Sequence, residues 1–140
     1  DRNVPNAVLV AHCDVSGQFR NLGDLLAISL APVKMYDLEK PEERTQPVRI
    51  TMPVNKVDSV IYQLPFLEEY AVEFPAPKIL ENQFGRLKID YAQVDNQLIV
   101  ARTFHLNTGD FEVKDYAEFY DFFDQIKKYH RKSKIILKAH

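Results

Sequence analysis

Several short stretches of the chain alternate apolar and polar positions with a period of two. In Lys56–Leu64, Val60, Tyr62 and Leu64 fall on one side and Ser59, Ile61 and Gln63 on the other, with Pro65 ending the run. Glu69–Phe74 sets Tyr70, Val72 and Phe74 against Ala71 and Glu73, and Pro75 and Pro77 end it. Leu87, Ile89 and Tyr91 alternate with Arg86, Lys88 and Asp90. This period is the mark of a half-buried antiparallel strand. After Val94, Asp95-Asn96 suits a two-residue turn because both residues tolerate positive φ. Leu98, Val100, Phe104 and Leu106 then line one face of the return strand, and Arg102 interrupts it. Val48–Met52 reads as a short strand closed by Pro53. Asn6–Val15, with its run Ala7-Val8-Leu9-Val10-Ala11, reads as a strand leading into a turn at Ser16-Gly17-Gln18. Leu25–Val33 has two readings. Asp24 could cap a helix there, but Pro32 argues against a long helix and a central strand, so an edge strand is favoured. Met35–Gln46 is polar and reads as a loop.

The period changes near the end of the chain. Phe119, Phe122, Phe123 and Ile126 follow the i, i+3, i+4, i+7 spacing of one helical face. Asp115 and Glu118 have the spacing of a capping box. Lys127, Lys128, His130, Arg131 and Lys132 place cations at the exit, where the helix dipole favours them. The pattern predicts a helix over about 115–130, entered through a turn at Asn107–Asp110 and followed by a short final strand, Lys134–Lys138. The expected fold is mainly β: an antiparallel immunoglobulin-like β-sandwich with one C-terminal amphipathic helix covering one end or an open face.

At 140 residues the chain is expected to be one domain, 1–140, with a core that needs no staples. The single cysteine, Cys13, excludes an internal disulfide. A net charge of −2 gives no global field favouring nucleic acid. No apolar run approaches the ~20 residues of a membrane span, so no membrane insertion is expected. The chain starts at Asp1 rather than Met, which leads to the expectation of a fragment from a longer multidomain protein.

Candidate chemistry is sparse. Cys13 lies between His12 and Asp14, but strand neighbours point to opposite faces, which separates a nucleophile from its base. His105 is the remote alternative partner. The four histidines, His12, His105, His130 and His140, show no metal-ligand spacing. Asp121 and Asp124, three apart on the helix, are better explained as a solvated polar face than as metal ligands, and Glu42-Glu43 and Glu68-Glu69 as adjacent loop acids than as acid/base pairs. Four glycines leave no phosphate loop. The basic run Lys127–Lys138, where Tyr129 could stack a base, is the best polyanion candidate, but the helix dipole and solubility alone explain it and are the favoured reading. No catalytic, metal or cofactor residue is assigned. Arg102 is singled out as an interface or ion-pair residue, because buried arginine is rarely left unpaired.

The segment Gln63–Tyr91 carries Leu64-Pro65, then Glu69-Tyr70-Ala71-Val72-Glu73-Phe74-Pro75, then Phe84-Gly85-Arg86-Leu87. Farther on come Arg102, Asp115-Tyr116-Ala117-Glu118-Phe119 and Lys134-Ile135-Ile136-Leu137-Lys138, and Arg44 and Pro47-Val48 lie upstream. In this order the motifs resemble the C-terminal domain of unknown function of bacterial transglutaminase-like proteins, over about Arg44 to Lys138. The family usually has glycine where this chain has Glu69, so that loop is expected to differ. The resemblance implies a non-catalytic accessory domain at the C-terminal end of its parent, beside a transglutaminase-like (cysteine protease-like) core that carries the Cys-His-Asp chemistry. Its partners would be neighbouring domains of the parent chain, and its location the periplasm or cell surface. The alternative expectation is a cell-surface or periplasmic module that binds glycan or peptide. An enzyme using Cys13 or the Glu pairs is the third.

Overall fold

A computed structural model of the chain describes residues 7–14, 17–31 and 36–140. Among these, the strands are β1 (Phe19–Leu22), β2 (Leu25–Ser29), β3 (Val48–Ile50), β4 (Val54–Gln63), β5 (Tyr70–Glu73), β6 (Lys78–Asn82), β7 (Gly85–Val94), β8 (Gln97–Leu106), β9 (Gly109–Phe111) and β10 (Lys134–Ala139). Helix α1 (Tyr116–Lys132) lies between β9 and β10. The protein is thus mainly β, with one C-terminal helix and a final strand. Two four-stranded antiparallel sheets have the orders β1-β2-β10-β5 and β4-β8-β7-β6, and β3 pairs with β9 in a small ribbon.

The longest ladders follow the period-two pattern. β8 pairs along its length with β4, from Val54↔Leu106 to Gln63↔Gln97, and with β7, from Gly85↔Leu106 to Val94↔Gln97. Asp95 takes the positive φ, 48°, at the tight turn between β7 and β8. This register puts Leu87, Ile89, Leu98, Val100, Phe104, Leu106 and Tyr62 on one buried face. The apolar face of α1 (Phe119, Phe122, Phe123 and Ile126) joins the same core, as do Ile28, Ile135 and Leu137 of the other sheet. Each such side chain contributes about 1.5–3 kcal/mol when fully buried. Phe84, in the turn between β6 and β7, is wholly buried against Phe111 and Phe119, with ring centroids 4.6 Å and 5.1 Å away.

Several expectations are corrected. The described part of Asn6–Val15 forms no strand, and Val8, Leu9 and Val10 are 87%, 92% and 73% exposed. β propensity alone is insufficient without a paired neighbour and a surface to pack on. β2 is an interior strand, flanked by β1 and β10, rather than an edge. It ends at Ser29, and Pro32 and Val33 lie outside the described residues. The capping box does not form. A 3-10 turn at Val113–Asp115 holds Asp115 in the right-handed helical region (φ −85°, ψ −7°), and its side chain caps nothing. Glu118 instead accepts a hydrogen bond from Gln83 Nε2 at 2.7 Å. The Asn107–Asp110 turn contains the start of β9. Neither β1 nor β6 was expected. Glu69 sits in a 3-10 turn with ordinary negative φ, so this backbone does not require glycine there.

Gly85 is fixed by close approach. A Cβ at this position would stand 2.1 Å from the His105 carbonyl oxygen, a backbone atom that cannot swing aside. Gly85→Ala should therefore cost about 1–3 kcal/mol, the usual penalty for overpacking. A fall in the urea midpoint at unchanged m-value would show it, whereas an unchanged midpoint would mean that β7 and β8 separate without cost.

Candidate functional site

The sheet β4-β8-β7-β6 offers the chemistry, and its two faces differ. On the inner face, Arg102 of β8 lies directly across from Asp58 of β4. Its Nε donates to Asp58 Oδ1 at 2.7 Å and its Nη2 to Oδ2 at 3.0 Å, a two-pronged charge-assisted pair. Nη1 donates to the carbonyl of Ala31 at 2.8 Å, just beyond β2. Tyr62 Oη accepts a hydrogen bond from Ala31 N at 3.1 Å, and burial raises its pKa. These bonds tie the exit of β2 to the opposite sheet. Arg102 is 8% exposed, while the Asp58 side chain is 51% exposed.

Beside this pair, Tyr91 and Tyr129 share a hydroxyl–hydroxyl hydrogen bond of 2.5 Å, and Tyr129 also donates to Ala76 O at 3.1 Å. Burial, followed by the Tyr129 hydroxyl, pushes the Tyr91 pKa up strongly. Tyr129 is therefore engaged in the fold rather than presented for base stacking. His130 is buried. Its Nδ1 lies 2.9 Å from Ile126 O, and its Nε2 has no hydrogen-bond partner among the described residues. Burial lowers its pKa first and the Arg102 charge lowers it further, against the opposing pull of the Ile126 bond and Asp58.

The outer face divides into two ends. Toward the Asp95-Asn96 turn, Ile61, Ile99 and Ala92 form one cross-strand row, next to Ser59, Ala101 and Asp90. Ile61 is 54% exposed and Val94 50%, and Val57 and Ile79 also stand clear of the core. At the other end, the rows Val57–Thr103–Lys88–Ile79 and Asn55–His105–Arg86–Glu81 border a polar groove of about 330 Å³. His105 Nδ1 is hydrogen-bonded to Asn55 Oδ1.

The other residues raised by the sequence stay apart. Cys13 is an exposed free thiol, and His12 and Asp14 are exposed beside it. His105 lies instead in the cross-strand row of Asn55 and Arg86. Glu42-Glu43 and Glu68-Glu69 lie in exposed 3-10 turns. Asp124 pairs with Lys128 at 2.6 Å, and Asp121 accepts from Gln125. Among the described residues no three His, Cys, Asp or Glu side chains gather, and no helix is long and apolar enough to cross a membrane. The outer groove escaped the sequence reading because its residues come from β6, β7, β8 and flanking turns. Its only local signal is the polar half of the β7 alternation.

A mainly β domain closed by an aromatic helix and one returning strand is the class of protein that this arrangement defines. The chain matches, over residues 25–137, the family model DUF3858, described as a domain of unknown function with solved structure, and it belongs to that family. Direct comparison with curated proteins finds no match, nor does comparison with solved structures.

Two predictions follow from the burial of the inner-face groups. Asp58→Ala strands the buried Arg102 with only the Ala31 carbonyl and should cost about 1–2 kcal/mol, a figure moderated because Asp58 is half in water. Arg102→Met leaves Asp58 free to hydrate and should cost less; equal or reversed losses in chemical denaturation would contradict this ordering. For His130, the depressed native pKa means that the unfolded chain binds the proton first as pH falls below ~6.5. Its contribution to stability is present above that range and is lost as pH falls through it toward the native value. Unfolding midpoints at pH 7 and pH 5 should differ more in the wild type than in His130→Phe.

Proposed function

We propose that this chain is a non-catalytic accessory domain that packs beside a transglutaminase-like core through the apolar end of its outer sheet face. The observation carrying this reading is the Ile61–Ile99–Ala92 row, with Val94 exposed beside it on the outer face of the sheet. Apolar surface of this kind is what inter-domain contacts bury. The order of motifs from Arg44 to Lys138, similar to the C-terminal domains of bacterial transglutaminase-like proteins, supports the choice of neighbour. The same resemblance supports a periplasmic or cell-surface location for the parent. Two four-stranded sheets contributing to one core support an immunoglobulin-like sandwich, with α1 as an added element.

The test is a titration of this chain against the adjacent domain of its parent protein. Ile61→Lys should weaken binding roughly tenfold or more, as loss of a central apolar contact does at interfaces. Its unfolding midpoint should barely move, because Ile61 is half in water. Undiminished binding by this variant would place the interface elsewhere, and no binding by the wild type would remove the accessory reading.

A further inference from the structure

The polar groove at the other end of the outer face has a set of hydrogen-bonding atoms that the fold only partly uses. Arg86 Nε stands 3.6 Å from Glu81 Oε2, beyond a hydrogen bond, and both side chains are at least half exposed. Lys88 Nζ is 3.2 Å from Asp90 Oδ2, with its side chain 46% exposed. Such exposed pairs are weak, so the two cations can turn to a ligand at little loss. Lying two residues apart on one strand, they point to the same side.

The remaining wall mixes donors and acceptors. Asn82 uses its Oδ1 to accept from Phe84 N at 2.9 Å, which leaves its two amide N–H groups. Asn107 uses Nδ2 to donate to Gln83 O at 3.0 Å, which leaves its Oδ1. The His105 ring is hydrogen-bonded through Nδ1 to the Asn55 side chain, and Nε2 is its other polar atom. The Thr103 hydroxyl can do either. Both asparagines are held by the backbone of the β6–β7 turn, and the His105 ring is held by Asn55, so these groups are oriented before any ligand arrives.

We propose that this groove binds a hexuronic acid residue, its carboxylate on Arg86 and Lys88 and its ring hydroxyls on Asn82, Thr103, His105 and Asn107. Two cations side by side suit a carboxylate, and Arg can grip it with two parallel bonds. Vicinal hydroxyls each donate and accept, which matches the alternating donors and acceptors of the wall. A phosphate has fewer hydroxyl donors to offer than a sugar ring, so Asn107 Oδ1 would face its charge instead of accepting a hydrogen bond. A neutral sugar would leave the two cations of the lining without a counterpart. The inference is independent of the docking reading, because the groove lies at the opposite end of the face from Ile61 and Ile99.

The experiment is a 15N-resolved NMR titration of the full chain with sodium glucuronate, with glucose, sodium acetate and inorganic phosphate run separately. Glucuronate should give saturable shifts at the amides of Arg86, Lys88, Thr103 and His105 with a Kd of about 1–10 mM, the range of a single small polar ligand. Arg86→Gln and Lys88→Gln, both at exposed positions, should each raise that Kd at least several-fold while keeping the spectrum folded. Ile61→Lys should leave it unchanged. Equal shifts from acetate or phosphate would reduce the site to a bare anion contact and overturn the proposal, as would equal shifts from glucose. Absence of saturable shifts up to about 50 mM glucuronate would also overturn it.

Discussion

The packing of four phenylalanines, one from β8 and three from α1, is the contact on which the rest of this domain depends. Phe104 lies 6.3 Å from Phe122 and 6.0 Å from Phe123, and Phe123 meets Phe119 at 5.0 Å and Phe122 at 5.4 Å. Stacked, tilted and edge-on ring pairs of this kind add about 0.5–1.5 kcal/mol each beyond the area they bury. The helix is thereby fixed on the sheet, and its exit at Ser133 places β10 between β2 and β5. Without that insertion, the sheet β1-β2-β10-β5 would divide into the β1–β2 hairpin and a lone four-residue strand, neither stable alone in water. A contact within the last part of the chain thus completes a sheet whose first strands lie near its beginning.

What the sequence made legible follows from how local the determining forces are. The β7–β8 hairpin and the inner face of β4 could be read because a period of two, a turn pair and proline stops all agree in one short window. The helix was legible from its 3.6 period. Its cap was not, because the preceding 3-10 turn sets the backbone of Asp115 and Gln83 draws Glu118 away. β6 was hidden because Lys78, Glu81 and Asn82 dilute its apolar signal and two prolines precede it. Ala7–Ala11 has the composition of a strand, yet strand formation is a property of pairs. Arg102 stood out as a break in an apolar face, but its partner depends on the register between β4 and β8, which no window of sequence contains.

The inner-face polar cluster is better understood as architecture than as chemistry. Arg102 joins β8 to β4 through Asp58 and to the exit of β2 through Ala31, and Tyr62 reaches that same exit. Three elements from two sheets are thereby held in one geometry. The pair also serves the edge of the sheet. β4 ends its sheet, and Lys56 and Asp58 lie on its inner side among apolar neighbours. Inward-facing charges on a long edge strand discourage a second chain from pairing there. The half-exposed Asp58 permits this at modest cost, since water completes its solvation.

The inner face of the sheet is consumed by these two duties, core and cross-link, so the outer face is the one whose polar and apolar side chains stay open to solvent. Gly85 shows how closely the faces are linked. Its missing Cβ lets β7 approach the His105 carbonyl, which keeps the β7–β8 ladder intact at the end where the groove lies. Because the register fixes Arg86 opposite His105 and Lys88 opposite Thr103, the groove inherits its spacing from the same ladder that aligns Leu87, Ile89, Phe104 and Leu106 beneath it. A change in the core that slipped β7 by one residue would turn Arg86 and Lys88 inward and Leu87 outward. The buried side therefore selects the register, and the register writes the polar and apolar ends of the exposed side.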